Sequence, residues 1–150
     1  MDLEVARNFL IALLIGALVG IEREKKKDTE PGPSLGGVRT YILLALIGAA
    51  SAWLARELSV AWIFVVTLAA VSIAVVASYV MQNRDDGDAP GLTSEVAAIA
   101  VCLLGGMVVV GNVALAVALA VVTSAVLAYK KPLHGLVERI GSEDIFAGIK

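Results

Sequence analysis

Glu22, Arg23, Arg39, Thr40, Thr93 and Glu95 are the residues of this chain whose types and positions suit them to chemistry. Each lies within about a turn of the end of a long apolar run, where a polar side chain meets both water and low dielectric. Carboxylates and hydroxyls are hard oxygen donors. A hard cation such as Mg²⁺ takes oxygen ligands and keeps several waters, so one or two carboxylates beside a watery opening suffice to hold it. On that chemistry Glu22 and Glu95 are the expected metal ligands, with Arg23 and Arg39 as counter-charges and Thr40 and Thr93 completing a polar cluster. Glu95 falls near the small-residue face of Ala98, Cys102, Gly105 and Gly106, and a carboxylate on a packed face needs a partner. Two plainer readings stand beside this one. Glu95 is also an acid in the first turn of a helix behind Thr93 as N-cap, and residues this near an interface snorkel at small cost.

The elements that must position these residues are membrane helices. Hydrophobic residues make up 59% of the 150, well above the roughly 45–50% of a soluble domain. Charge-free runs cover 8–21, 40–55, 58–83 and 96–129. A crossing takes about 20 residues, so the last run must be two helices, turning at "VVVGNVALA". The expectation is an all-α integral membrane protein with five transmembrane helices near 5–22, 38–55, 60–82, 93–110 and 113–130. Residues 1–130 form the membrane domain, and 131–150 form a cytoplasmic amphipathic helix and the start of a truncated segment.

This topology puts ten of the twelve basic residues on one side, which the positive-inside rule makes cytoplasmic; the N-terminus is then outside and the C-terminus inside. Trp53 and Trp62 mark the outer interface, and Tyr41, Tyr79 and Tyr129 the inner one. The start "MDLEVAR" lacks the basic region of a cleaved signal peptide.

Helix packing is expected on small residues. Gly16 and Gly20 are spaced GxxxG, and Asn8 and Ala12 extend their stripe. Gly37, Cys102, Gly105 and Gly106 supply further close-approach positions, Cys102 as a small apolar residue. The alanines at 114, 116, 118 and 120 mark helix 5 as central or as an oligomer contact. "GGVRTYILLALIG" and "PGLTSEVAAIAVCLLGG" enter their spans alike, suggesting that helices 1–2 and 3–4 are parallel repeats.

Outside the spans, "KKKDTEPGPSLGG" reads as a turn-rich linker and lacks the Lys-Ser or Lys-Thr of a phosphate loop. Asp85, Asp86 and Asp88 crowd the second loop without an EF-hand pattern. Leu133, Leu136, Val137 and Ile140 form one apolar stripe beside His134, an interfacial rather than metal-binding histidine.

"LIALLIGALVGIERE" followed by "GGVRTYILLALIGAA" resembles the N-terminal signature of the MgtC/SapB membrane proteins, a GxxxG helix ending in Glu-Arg-Glu and then a Gly-x-Arg-Thr helix. Gly16, Gly20, Glu22, Arg23, Gly37, Arg39 and Thr40 match that signature, and the ending "KKPLHGLVERIGSED" is similar to the longer branch with a second membrane domain. The resemblance implies a multi-pass protein of the inner (plasma) membrane linked to magnesium homeostasis.

Two functions remain open. One is transport or sensing of Mg²⁺ or another small cation through the polar cluster. The other is a non-transporting regulator that binds another membrane complex through its helices and tail. The lipid bilayer is the first partner, a homodimer is expected from the small-residue faces, and nucleic acid is not expected. Nothing resembles an enzyme: a single His and no Cys/His cluster assemble no nucleophile-base pair.

Overall fold

The computed structural model describes residues 3–29, 36–82 and 92–129. These form five helices: α1 (Leu3–Thr29), α2 (Val38–Glu57), α3 (Trp62–Gln82), α4 (Thr93–Val110) and α5 (Val113–Ala128), with no strand among the described residues. Asp85, Asp86, Asp88, His134 and the amphipathic stripe of 133–140 lie outside them.

The first part of the expected linker, residues 25–29, is helical instead, while residues 30–35 lie outside those described. Helix α1 continues through Thr29, because Glu, Arg and Lys are good helix formers. Lys25 Nζ also donates to Glu22 Oε1 one turn back at 3.0 Å. Helix α2 starts after Gly36, whose φ of 148° suits glycine; a Cβ there would strike the Thr40 side chain. The first N–H of α2, on Val38, is capped from across the hairpin by Glu24 Oε2 at 2.8 Å. Helix α4 begins at Thr93 with Leu92 in the N-cap position and no side-chain cap. Thr93 therefore lies inside the helix, which corrects its expected role as N-cap. Gly111, at φ 110°, ends α4 in the left-handed conformation, and Asn112 precedes α5, so the long apolar run divides at its Gly-Asn.

Among the described residues four helices are long and apolar enough to cross a membrane: α1, α2, α3 and α4. Helix α5, with 16 residues, is about 24 Å long at 1.5 Å per residue.

Helices α1, α2 and α4 pack together at the centre, α3 lies against α2 and α4, and α5 lies against α1 and α4. Polar contacts at both ends set the relative direction of α2 and α4. Tyr41, early in α2, bonds to Ser94, early in α4; Arg56, late in α2, bonds to Val109, late in α4. The two run parallel. Helix α1 runs against them, with Gly16 and Gly20 over the start of α2. The two hairpins are not packed alike, since α1 lies closely on α2 whereas α3 touches α4 sparsely.

The core is built from small side chains. Ala12, Val19, Ala45, Ala49, Ala98, Val101, Cys102, Val108 and Ala116 are all buried. At the α2/α4 crossing a Cβ on Gly48 would collide with the Cys102 carbonyl, and one on Gly105 with the Ala45 carbonyl. The contact is reciprocal, each glycine meeting the carbonyl three residues before its counterpart. Lipid is as apolar as leucine, so close van der Waals approach rather than hydrophobic exclusion joins such helices. Helix α5 is peripheral rather than central: Ala116, Ala120 and Ser124 face inward, while Leu115, Val117, Val121, Val122 and Val126 are exposed.

Candidate cation site at the Arg23 end

The end of the bundle that gathers the close of α1 and the starts of α2 and α4 is built around a buried charge. Arg23 is only 5% exposed. Its Nη1 donates to Ser94 Oγ at 3.2 Å and its Nη2 to the Thr93 carbonyl at 3.3 Å. Tyr41, 1% exposed, donates its hydroxyl to the Ser94 carbonyl at 3.0 Å. Three helices are thus tied through the first turn of α4. Tyr41 is a buried bundle residue, which corrects its expected place among interfacial aromatics.

The arrangement opposes the helix dipole. A cation sits against an N-terminal turn, where the macrodipole is positive. Glu95, the acid in that turn, offsets the field. It lies near the Arg23 guanidinium, yet Arg23 and Glu95 form no ion pair among the described residues. Glu95 Oε2 and Arg23 Nε are both buried without a hydrogen-bond partner. Burying ionised groups costs several kcal/mol each unless pairing repays it, and here a donor atom on α1 and an acceptor atom on α4 are each left without a partner.

Of the six cluster residues, the structure brings Arg23, Thr93 and Glu95 together. Thr93 takes part through its carbonyl. Glu22 is half-buried and turned to Lys25, Arg39 is exposed, and Thr40 lies over Gly36. Ser94 and Tyr41 complete the junction; the sequence reading did not single out Ser94 and took Tyr41 only as an interfacial aromatic. Ser94 sits between Thr93 and Glu95, and Tyr41 directly follows Arg39-Thr40, so proximity was the available signal. The oxygens gathered there are Glu95 Oε2, which has no partner, and Ser94 Oγ and the Thr93 carbonyl, which accept from Arg23; oxygen is the donor type a hard cation takes. Among the described residues no three His, Cys, Asp or Glu side chains converge as a metal site.

The packing residues occupy defined places. A Cβ on Gly16 would lie 2.6 Å from the Tyr41 carbonyl oxygen, and one on Gly20 2.7 Å from Val38 Cα. Gly37 makes room for the Glu24 carboxylate, and Gly106 for the Phe64 ring. Asn8, 8% exposed, lies at the opposite end of the bundle. There a cleft of about 320 Å³ is lined by Glu4, Asn8, Trp53, Arg56 and Glu57 among others, and Arg56 ties α2 to the Val109 carbonyl at 2.5 Å.

No curated protein and no solved structure matches the chain. The MgtC family matches residues 9–136, which takes in all five helices except the first residues of α1; the chain belongs to the MgtC family.

Proposed function

We propose that this protein is a five-span inner-membrane protein of magnesium homeostasis that takes Mg²⁺, or another small cation, at the Arg23 end of the bundle. Family membership supports the link to magnesium and to the membrane. The observation that carries the site is the buried, unpartnered Glu95 Oε2 beside oxygen donors of the first turn of α4. In this reading α5 makes the fifth crossing. The N-terminus is outside, the Arg23 end is cytoplasmic, and the exposed faces of α3 and α5 meet lipid or a second copy.

A second reading, a non-transporting regulator of another membrane complex, draws support from the α2/α4 seam. Glycines against carbonyls leave no room for an ion between those helices, which suits a protein that senses an ion better than one that conducts it through its centre.

Calorimetric titration of the purified protein with Mg²⁺ tests the site. Glu95→Gln is expected to abolish binding while Glu22→Gln, whose carboxylate is already turned to Lys25, weakens it less. Binding unchanged in Glu95→Gln contradicts the proposal. If deletion of 133–140 disrupts a membrane complex while Mg²⁺ binding persists, the regulatory reading gains.

A further inference from the structure

We propose that the Arg56 end of the bundle holds one anionic phospholipid, with its phosphate at Arg56 and an acyl chain in the apolar groove that α3, α4 and α5 leave open. The proposal rests on the membrane-spanning reading of the helices and is independent of the Glu95 site.

The groove follows from how the helices pack. Helices α3 and α5 each lie against α4, and part of α4 stays uncovered between them. A hollow of about 490 Å³ runs there, lined by Phe64 of α3, Ala100, Leu103, Met107 and Val110 of α4, and Leu119 of α5, among others. The one polar side chain lining it, Thr123, donates its hydroxyl to the Leu119 carbonyl at 2.7 Å. The hollow therefore has no side-chain donor to offer a polar ligand, and apolar matter gains most by filling it. From Val110 back to Ala100 is about 15 Å along α4 at 1.5 Å per residue, half of the roughly 30 Å of a hydrocarbon core. That is the depth of one leaflet, which suits an acyl chain better than a whole transmembrane helix.

A second hollow of about 440 Å³ lies beside the turn between α2 and α3 and shares Phe64 and Val110 with the groove. Among the described residues Arg56 is the only charged side chain that lines it. The guanidinium donates from Nη1 to the Val109 carbonyl at 2.5 Å and joins no ion pair among the described residues. Its charge is thus held in place without being neutralised. Glu57, next in sequence, and Glu4 line the cleft on the α1 side. Arg56 therefore stands between two hollows, and the one joined to the groove has no carboxylate among its described lining residues. Trp53, about a turn before Arg56, and Trp62, at the start of α3, are both exposed and mark the depth of the headgroups. A phosphate at that depth meets a cation, and the hydroxyl of Ser59, which also lines the hollow, is a second donor to it. Positive charge at the head and an apolar groove one leaflet deep below it select an anionic lipid over a zwitterionic one.

Native mass spectrometry of the purified protein, released from detergent with phosphatidylglycerol or phosphatidylcholine of the same acyl chains, tests the proposal. The wild type should retain phosphatidylglycerol about fivefold better, the size of one basic residue's attraction to anionic lipid. Arg56→Gln should make the two lipids equal, whereas Arg56→Lys should keep the preference. Ala100→Phe fills the groove at the end away from Arg56 and should lower the retention of both lipids. Should Arg56→Gln fail to fold, Ala61→Glu decides, since Ala61 is exposed and lines the same hollow as Arg56; the added carboxylate should remove the preference. Equal retention of the two lipids by the wild type overturns the proposal, as does a preference that survives Arg56→Gln or Ala61→Glu, or full retention in Ala100→Phe. A dimer that Ala100→Phe dissociates with lipid retention unchanged also overturns it and assigns the groove to a second copy. Mg²⁺ binding at Glu95 is read separately and is untouched by any of these results.

Discussion

The crossing of α2 and α4 and the junction at Arg23 lie on the same pair of helices and are built in opposite ways. At the crossing everything is small, dry and in contact: Gly48 and Gly105 meet carbonyls, and Cys102, Ala45 and Ala49 are fully buried. At the junction the side chains are large and polar, and two charged atoms are left unsatisfied. One region uses close approach to hold the bundle; the other keeps an unmet demand for a partner. The difference teaches how the two regions bear on stability, since a carboxylate oxygen and a guanidinium nitrogen that are buried and unpaired cost the fold stability that the close packing at the crossing supplies.

The contrast can be broken most severely at the crossing. Gly105→Leu would drive a side chain into the Ala45 carbonyl. Backbone cannot yield as a flexible side chain can, so a loss of about 3 kcal/mol or more is expected. It should show as a collapse of folded yield or a sharply lower midpoint in detergent. The junction should respond more mildly. Tyr41→Phe removes one hydrogen bond, to Ser94, and should cost about 1 kcal/mol in thermal unfolding. Glu24→Ala leaves the Val38 N–H uncapped and should cost about as much or less, around 1 kcal/mol or below for a cap at an exposed site. Arg39→Gln should leave the unfolding midpoint unchanged, because that side chain is exposed. A larger loss at Tyr41 than at Gly105 would reverse the comparison.

Much of the fold was legible because membrane helices announce themselves by length and composition. The α4/α5 division at Gly111-Asn112 was readable as a turn inside a run too long for one crossing. The extension of α1 through Thr29 was not, because proline and glycine downstream masked the helix propensity of Glu22 to Lys27. At the site, residue type pointed to Arg23 and Glu95 but not to their arrangement. Which of two neighbouring residues turns inward depends on helix rotation, and the roughly 100° between successive residues separates buried Arg23 from exposed Glu24. Tyr41 was misread for a general reason: tyrosine near a helix end satisfies the interfacial pattern whether it faces lipid or the bundle. The cleft at Asn8 and Arg56 joins residues from three helices far apart in sequence, so no local spacing revealed it.

The central claim is that Glu95 is kept for a ligand rather than for the fold. The most direct test is the thermal unfolding of the wild type and Glu95→Gln across a Mg²⁺ titration in detergent, with Ca²⁺ and Na⁺ as controls. Without Mg²⁺ the variant should unfold at or slightly above the wild-type temperature, since it loses a buried, unpaired carboxylate oxygen. With Mg²⁺ only the wild type should rise, by about 2.7 kcal/mol at roughly a hundred times the dissociation constant. A variant that is markedly less stable without Mg²⁺ but keeps the full Mg²⁺ response would show that Glu95 serves the fold and that the ion goes elsewhere.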